Sequence, residues 1–164
     1  MSDDTPPPGF FPPPHLRDAG DAWVEGPDGA RYWGRFGAAG LLLWHRDAGV
    51  LLQHRAVWSH FGNTWGLPGG ARHEDESAQK AAVREAAEEA GVPSDAVRVI
   101  DVFELDLGYW SYTTVVAEAT RFFDPLIGDP ESRELRWVPL DEVDALPLHP
   151  RFQESWPQLR PLLR

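Results

Sequence analysis

The chain has no cysteine, which excludes disulfides, thiolate metal sites and a thiol nucleophile. It is also short of cations: 15 Lys and Arg stand against 26 Asp and Glu, a formal charge of −11. Gripping a nucleic-acid polymer or an anionic membrane takes clustered Lys and Arg, so neither is expected as a partner. A small anion can still bind locally where a divalent cation bridges. No apolar run approaches the length of a membrane span. The opening "MSDDTPPPGFFPPPHLRD" lacks the basic start and apolar stretch of a secretory signal. These absences together predict a cytoplasmic protein. The six histidines are scattered without metal-pair spacing, so zinc is not expected.

What is present suits one domain with a sizeable core: 164 residues, eight of them tryptophan. Residues 1 to about 19 are Pro-rich and read as an extended or flexible arm, with Phe10 and Phe11 available to dock. Residues 20–164 read as the folded domain. "AWVEGPDGARYWGRF" places two aromatic runs around a turn and predicts a hairpin. "AAGLLLWHRDAGVLLQHR" predicts two strands around Asp47 and Gly49, and "TWGLPGGAR" a short strand entering a glycine turn. "AVRVIDVFELDL", "YWSYTTVVAEAT" and "ELRWVPL" are rich in β-branched and aromatic residues and predict three more strands. "DEVDAL" and "PRFQESWPQLRPLL" read as helical, with Pro150 in a first turn and Pro157 kinking or dividing the last helix. Strands, helix, strands, helix in that order predict an α/β or α+β domain with a mixed sheet between helices.

The clearest helix is "ESAQKAAVREAAEEAG". Glu76 or Ser77 can cap its start, and Gly91 sits where a C′ glycine belongs. At about 100° per residue, Glu85, Glu88 and Glu89 project into one arc. Like charges at this spacing destabilise a helix by roughly 0.2–0.5 kcal/mol per pair. Arg84, four residues before Glu88, is the one cation in these turns. The opposite side carries Ala82, Val83, Ala86 and Ala90, small enough to lie tight on a sheet. A solvated acidic face is one reading. The other is that a hard divalent cation completes the cluster, since Mg²⁺ takes oxygen ligands and shares them with substrate phosphates.

Residues 70 to 92, "GARHEDESAQKAAVREAAEEAGV", resemble the Nudix box: Gly, five residues, Glu, seven residues, then Arg-Glu-apolar-any-Glu-Glu-any-Gly-apolar. Gly70, Glu76, Arg84, Glu85, Glu88, Glu89 and Gly91 fill every fixed position, and Ala86 and Val92 the apolar ones. At average residue usage such a match arises by chance on the order of 10⁻⁸ per start point. The resemblance implies an α/β/α sandwich over residues 20–164. It implies hydrolysis of a nucleoside diphosphate linked to another group, with Mg²⁺ or Mn²⁺ as cofactor. By position in the box, Glu85, Glu88 and Glu89 would be metal ligands, with the Gly70 carbonyl as a further one. Arg84 would orient Glu88 or Glu89, and Glu76 and Gly91 would support the helix.

Outside the box the signals are single residues. Arg55 and His60 match substrate-contacting positions in MutT-type members, which cleave nucleoside triphosphates. A surface strand end explains Arg55 equally simply, and a loop residue explains His60 better than a ligand does. Those members often carry Lys after the paired glycines; here Ala71 and then Arg72 follow, so Arg72 would take that contact one step later. "LPLHPRF" falls where such proteins place base-contacting residues, so His149, Arg151 and Phe152 are candidates, against a helix cap with a buried Phe. Glu131 and Glu134 are candidate general bases, with Glu134 the expected catalytic one, against solvated loop acids. The proline of ADP-ribose hydrolases and the coenzyme A signature are absent. Tyr109 stands where dinucleoside polyphosphate hydrolases carry a tyrosine. The expected activity is therefore a MutT-like nucleotide pyrophosphohydrolase acting on a small nucleotide. The alternatives are a dinucleoside polyphosphate or nucleotide-sugar hydrolase, and a non-catalytic nucleotide-sensing module. Monomer and homodimer both remain open.

Overall fold

A computed structural model describes residues 19–163. The Pro-rich arm with Phe10 and Phe11 lies outside the described residues. The domain opens with the expected hairpin, β1 (Trp23–Glu25) against β2 (Arg31–Trp33), closed by a turn in which Gly29 takes φ +82°. β3 (Ala38–His45), β4 (Gly49–Arg55), β5 (Trp65–Gly66) and β6 (Gly69–Ala71) follow, then α1 (Ala78–Ala90). β7 (Val97–Asp106), β8 (Ser111–Ala119), β9 (Ser132–Val138) and α2 (Pro150–Leu159) complete the elements.

The main sheet runs β5-β4-β3-β8-β7, with β6 also on β3 and β9 also on β4. It is mixed: β3 and β8 are parallel, and the other named pairs antiparallel. The long apolar runs of β3 and β4 are buried on both faces, as a central strand between two helix layers must be. Odd positions Leu41, Leu43, Leu51, Val115 and Ala117 face α1. Even positions Leu42, Trp44, Leu52 and Val116 face Phe152, Trp156 and Leu159 of α2. The architecture is the predicted α/β/α sandwich.

Four local expectations change. The glycine turn after Trp65 is itself a strand, because Gly69 and Gly70 pair with Gly40 and Ala39 of β3. "DEVDAL" closes only as a 3₁₀ turn, Leu140–Ala145. α2 runs unbroken through Pro157, since Gln153 and Pro157 lie on its exposed flank and the carbonyl deprived of its donor can take water. On α1 the side against the sheet is Ala81, Ala82, Ala86 and Ala90, while Val83 turns half outward.

Candidate active site

Ser77 caps α1 by accepting from the Lys80 N–H at 3.1 Å, which frees the Glu76 carboxylate for another task. Glu76 accepts from the His73 N–H at 3.0 Å and takes Arg84 in a two-point pair, Nε–Oε2 at 2.8 Å and Nη2–Oε1 at 3.0 Å. The Arg84 guanidinium holds the Glu76 carboxyl below the usual carboxylate range. Arg84 also donates to the Ala71 carbonyl and to Glu85, both at 3.0 Å. Glu88 lies further off, at 3.4 Å. Arg84 therefore locks the loop and Glu85 first and touches Glu88 last; Glu89 is not its partner.

Glu85 lies against Gly70. A Cβ added at residue 70 would come within 2.6 Å of the Glu85 carboxyl carbon, so glycine is what lets this carboxylate reach the backbone. Burial raises the Glu85 pKa to about 7 despite Arg84. Glu89 is the deeper group. It accepts from the Gly69 N–H at 3.1 Å, and burial, then the charges of Glu85, Asp129 and Glu131, push it well above the usual range. Glu88 is exposed at the cleft edge.

Asp129 and Glu131 arrive from the segment between β8 and β9. The Leu126 and Gly128 N–H groups donate to the last carbonyls of α1, Ala90 and Glu89, each at 2.9 Å. Gly91, at φ +65°, closes the same helix end by donating to Ala86 and Ala87. The loop is thus tied to the helix that bears the three glutamates. Burial raises both Asp129 and Glu131. Arg55 stands over this loop, Nη2 to Glu131 at 3.9 Å, with its Nε fixed on the His60 carbonyl at 2.8 Å.

Gly70, Arg84, Glu85, Glu88, Glu89, Asp129, Glu131 and Arg55 line a cleft of about 740 Å³. The same cleft has an aromatic wall. Trp23, Tyr32 and Trp33 come from the hairpin and Trp110 and Tyr112 from the start of β8. Tyr32 stacks on Trp110 at 4.6 Å, and the Trp110 indole donates to the Trp33 carbonyl. The Arg151 guanidinium sits among these rings, 4.6 Å from the Trp110 centroid and 5.5 and 5.6 Å from those of Tyr112 and Tyr32. Tyr112 is pushed up to about 12 by burial. His149 caps α2, its Nδ1 accepting from the Arg151 N–H at 3.2 Å, so the proton of the neutral ring is on Nε2. Burial, then the cations Arg55 and Arg151, lower its pKa to about 3.

The cleft therefore gathers Gly70, Arg84, Glu85, Glu88, Glu89, Arg55, Glu131, His149, Arg151 and Phe152. Phe152 belongs mainly to the core, 5% exposed and packed on Trp156. Two candidates are corrected. Arg72 is not in the cleft wall; its Nε and Nη2 hold the Glu76 carbonyl and brace the loop before α1. Glu134 is not there either. It pairs with Arg136 along β9, Nε–Oε1 at 3.0 Å, and register places it beside His54 rather than over the cleft. Tyr109 also lies outside, packed on Tyr32. The sequence reading missed Asp129 and the aromatic wall. "GDPE" beside the singled-out Glu131 was the available signal for Asp129.

A cluster of oxygen donors whose carboxyls are raised by burial and mutual repulsion is what a divalent cation would relieve. Among the described residues no three acidic side chains converge on one point as they stand. The backbone sets Glu85, Glu88 and Glu89 on one face of α1. The donor set fits a hard, oxygen-preferring divalent cation.

A family model for the NUDIX domain matches residues 34–159. A protein of Mycobacterium tuberculosis provisionally named 8-oxo-dGTP diphosphatase 3 is 51% identical, over 88% of this chain and 71% of its own length. A Bifidobacterium longum nucleoside triphosphate pyrophosphatase/Nudix hydrolase fusion protein is 39% identical; the match covers 92% of this chain and 33% of the fusion. The crystal structure of the Nudix hydrolase RenU from M. smegmatis superposes with a TM-score of 0.78 at 48% identity, covering 87% of this chain and 94% of that one.

Proposed function

Because the chain belongs to the NUDIX family, we propose that it is a divalent-metal-dependent pyrophosphohydrolase of nucleoside triphosphates, with an oxidised guanine nucleotide such as 8-oxo-dGTP as the first substrate to test. The observation that carries this reading is that one cleft combines a carboxylate cluster with a set of aromatic rings, as a ligand with a polyphosphate and a flat base requires. Glu85, Glu88, Glu89 and the Gly70 carbonyl would hold the metal, which when bound polarises the phosphoryl oxygens and offsets their charge. Arg84 keeps Glu85 in place by its fork on Glu76 and Glu85. Arg55 meets the anionic part of the substrate: it stands 3.9 Å from Glu131, whereas Arg84 is taken up by Glu76 and Glu85.

Water attacks one phosphorus of the anhydride, a P–O–P bond breaks, and the leaving phosphate keeps the electron pair, giving a nucleoside monophosphate and pyrophosphate. Glu131 takes the proton of that water. Its pKa, raised by burial, brings it nearer neutral pH, where a general base is most effective. His149 through its Nε2–H, and the rings around Arg151, meet the base.

The test is a nucleotide panel with and without Mg²⁺, products separated by chromatography. Mg²⁺-dependent release of monophosphate and pyrophosphate, greatest for a triphosphate, supports the reading. Binding without turnover would leave a sensing module instead. Preferential cleavage of dinucleoside polyphosphates would overturn the substrate class; with Tyr109 outside the cleft, nothing at that position favours it.

A further inference from the structure

β7 is the outermost strand of the main sheet, and among the described residues only β8 pairs with it. It is ten residues long, without Pro or Gly, and nearly every residue in it is exposed. Edge strands of soluble proteins are usually short, charged, bulged or covered, because an open row of N–H and C=O groups invites pairing. Here Val99, Ile100, Val102, Phe103 and Leu105 are each 36–41% exposed. Of the thirteen exposed large hydrophobics among the described residues, seven fall between Val99 and Tyr109, so the apolar surface is concentrated on this one edge.

We propose that this edge is a self-association surface, on which β7 of a second copy pairs antiparallel across a two-fold axis and joins the two sheets. The charges of the strand select that occupant. With the axis at Val102, Arg98 of each copy stands opposite Asp106 of the other, and Val99 opposite Leu105. The bulge between Val99 and Asp101 leaves about one residue of play, and with the axis at Asp101 the same arginine meets Glu104. A parallel copy in register would instead set Asp101, Glu104 and Asp106 against themselves. Arg98 already touches Glu118 at 3.1 Å, yet its side chain stays 63% exposed and can take a second carboxylate. A two-fold axis makes every such contact twice. No residue of β7 lines the cleft, so both active sites stay open in the pair.

Sedimentation velocity of the full chain over a micromolar to sub-millimolar series tests this. The expected species is a dimer of about 37 kDa, twice the 18.4 kDa chain. Val102→Lys with Phe103→Lys should give a monomer with unchanged circular dichroism. Arg98→Asp should weaken the dimer about tenfold, from two cross-strand pairs turned repulsive, and adding Asp106→Arg (axis at Val102) or Glu104→Arg (axis at Asp101) should restore it. Rescue by the double charge swap keeps the test valid if the lysine variant fails to fold. A wild-type chain monomeric at every concentration overturns the proposal. So does a dimer indifferent to both the lysine and the charge-swap variants.

Discussion

The residues proposed to carry the chemistry are distinguished by what constrains them. Glu89 is half-buried against the Gly69 N–H and Glu88 is exposed on the same helix face. Changing either to Gln keeps shape and removes a charge; steady-state rates with Mg²⁺ should fall by two orders of magnitude or more, about 3 kcal/mol in the barrier, with the far-ultraviolet spectrum unchanged. His149 answers to pH. In the fold its pKa is lowered to about 3, against an ordinary 6.5, so between those values the unfolded chain binds a proton the native ring refuses. Stability from this residue is complete above pH 6.5 and is lost as pH falls from there toward 3. His149→Asn keeps a cap acceptor and removes the titration. Its melting temperature should therefore fall less than that of the parent between pH 7 and 4. The box glutamates were legible from spacing alone, because a helix converts spacing into direction. Arg72 and Glu134 were not, because their directions depend on a loop and a strand register that no local pattern encodes.

At the scale of elements, α1 was readable to its caps, since Ser77 and Gly91 act through neighbours in sequence. β6 was hidden because its glycines look like a turn and become a strand only through β3. The segment from Thr120 to Glu131 carries no regular structure, yet it delivers Asp129 and Glu131 by hydrogen-bonding to the end of α1. Gly128 is the tight point: a Cβ there would collide with the Glu88 carbonyl. Gly128→Ala should destabilise by about 1–3 kcal/mol, as overpacking does. It should also lower kcat more than it raises KM, because the loop acids shift while the aromatic wall is untouched. Thermal melts and steady-state kinetics on the one variant read both effects. Equal losses for Gln79→Ala, an exposed position on α1 away from the loop, would show that the loop has no special role.

Over the whole molecule, the order of elements predicted the layers but not which strands would be neighbours. The cleft depends on those neighbours. β9 on β4 sets Ser132 beside Arg55, and the hairpin on Trp110 completes the aromatic wall. Both are distant in sequence, and their contacts follow from how each strand's buried face is satisfied rather than from a motif. At the centre lies the parallel pair of β3 with β8, Ala38 beside Tyr112 through Trp44 beside Glu118. That pair closes a loop containing β4, β5, β6, α1 and β7. Such closure costs chain entropy before it returns any contact, so it belongs to the slow part of folding. The helix with the glutamates is local and can form early; the aromatic wall and the loop acids cannot meet it until β8 docks. In refolding from denaturant, helical ellipticity should recover before the capacity to bind a nucleotide. During that interval the chain carries a complete acidic helix and no active site.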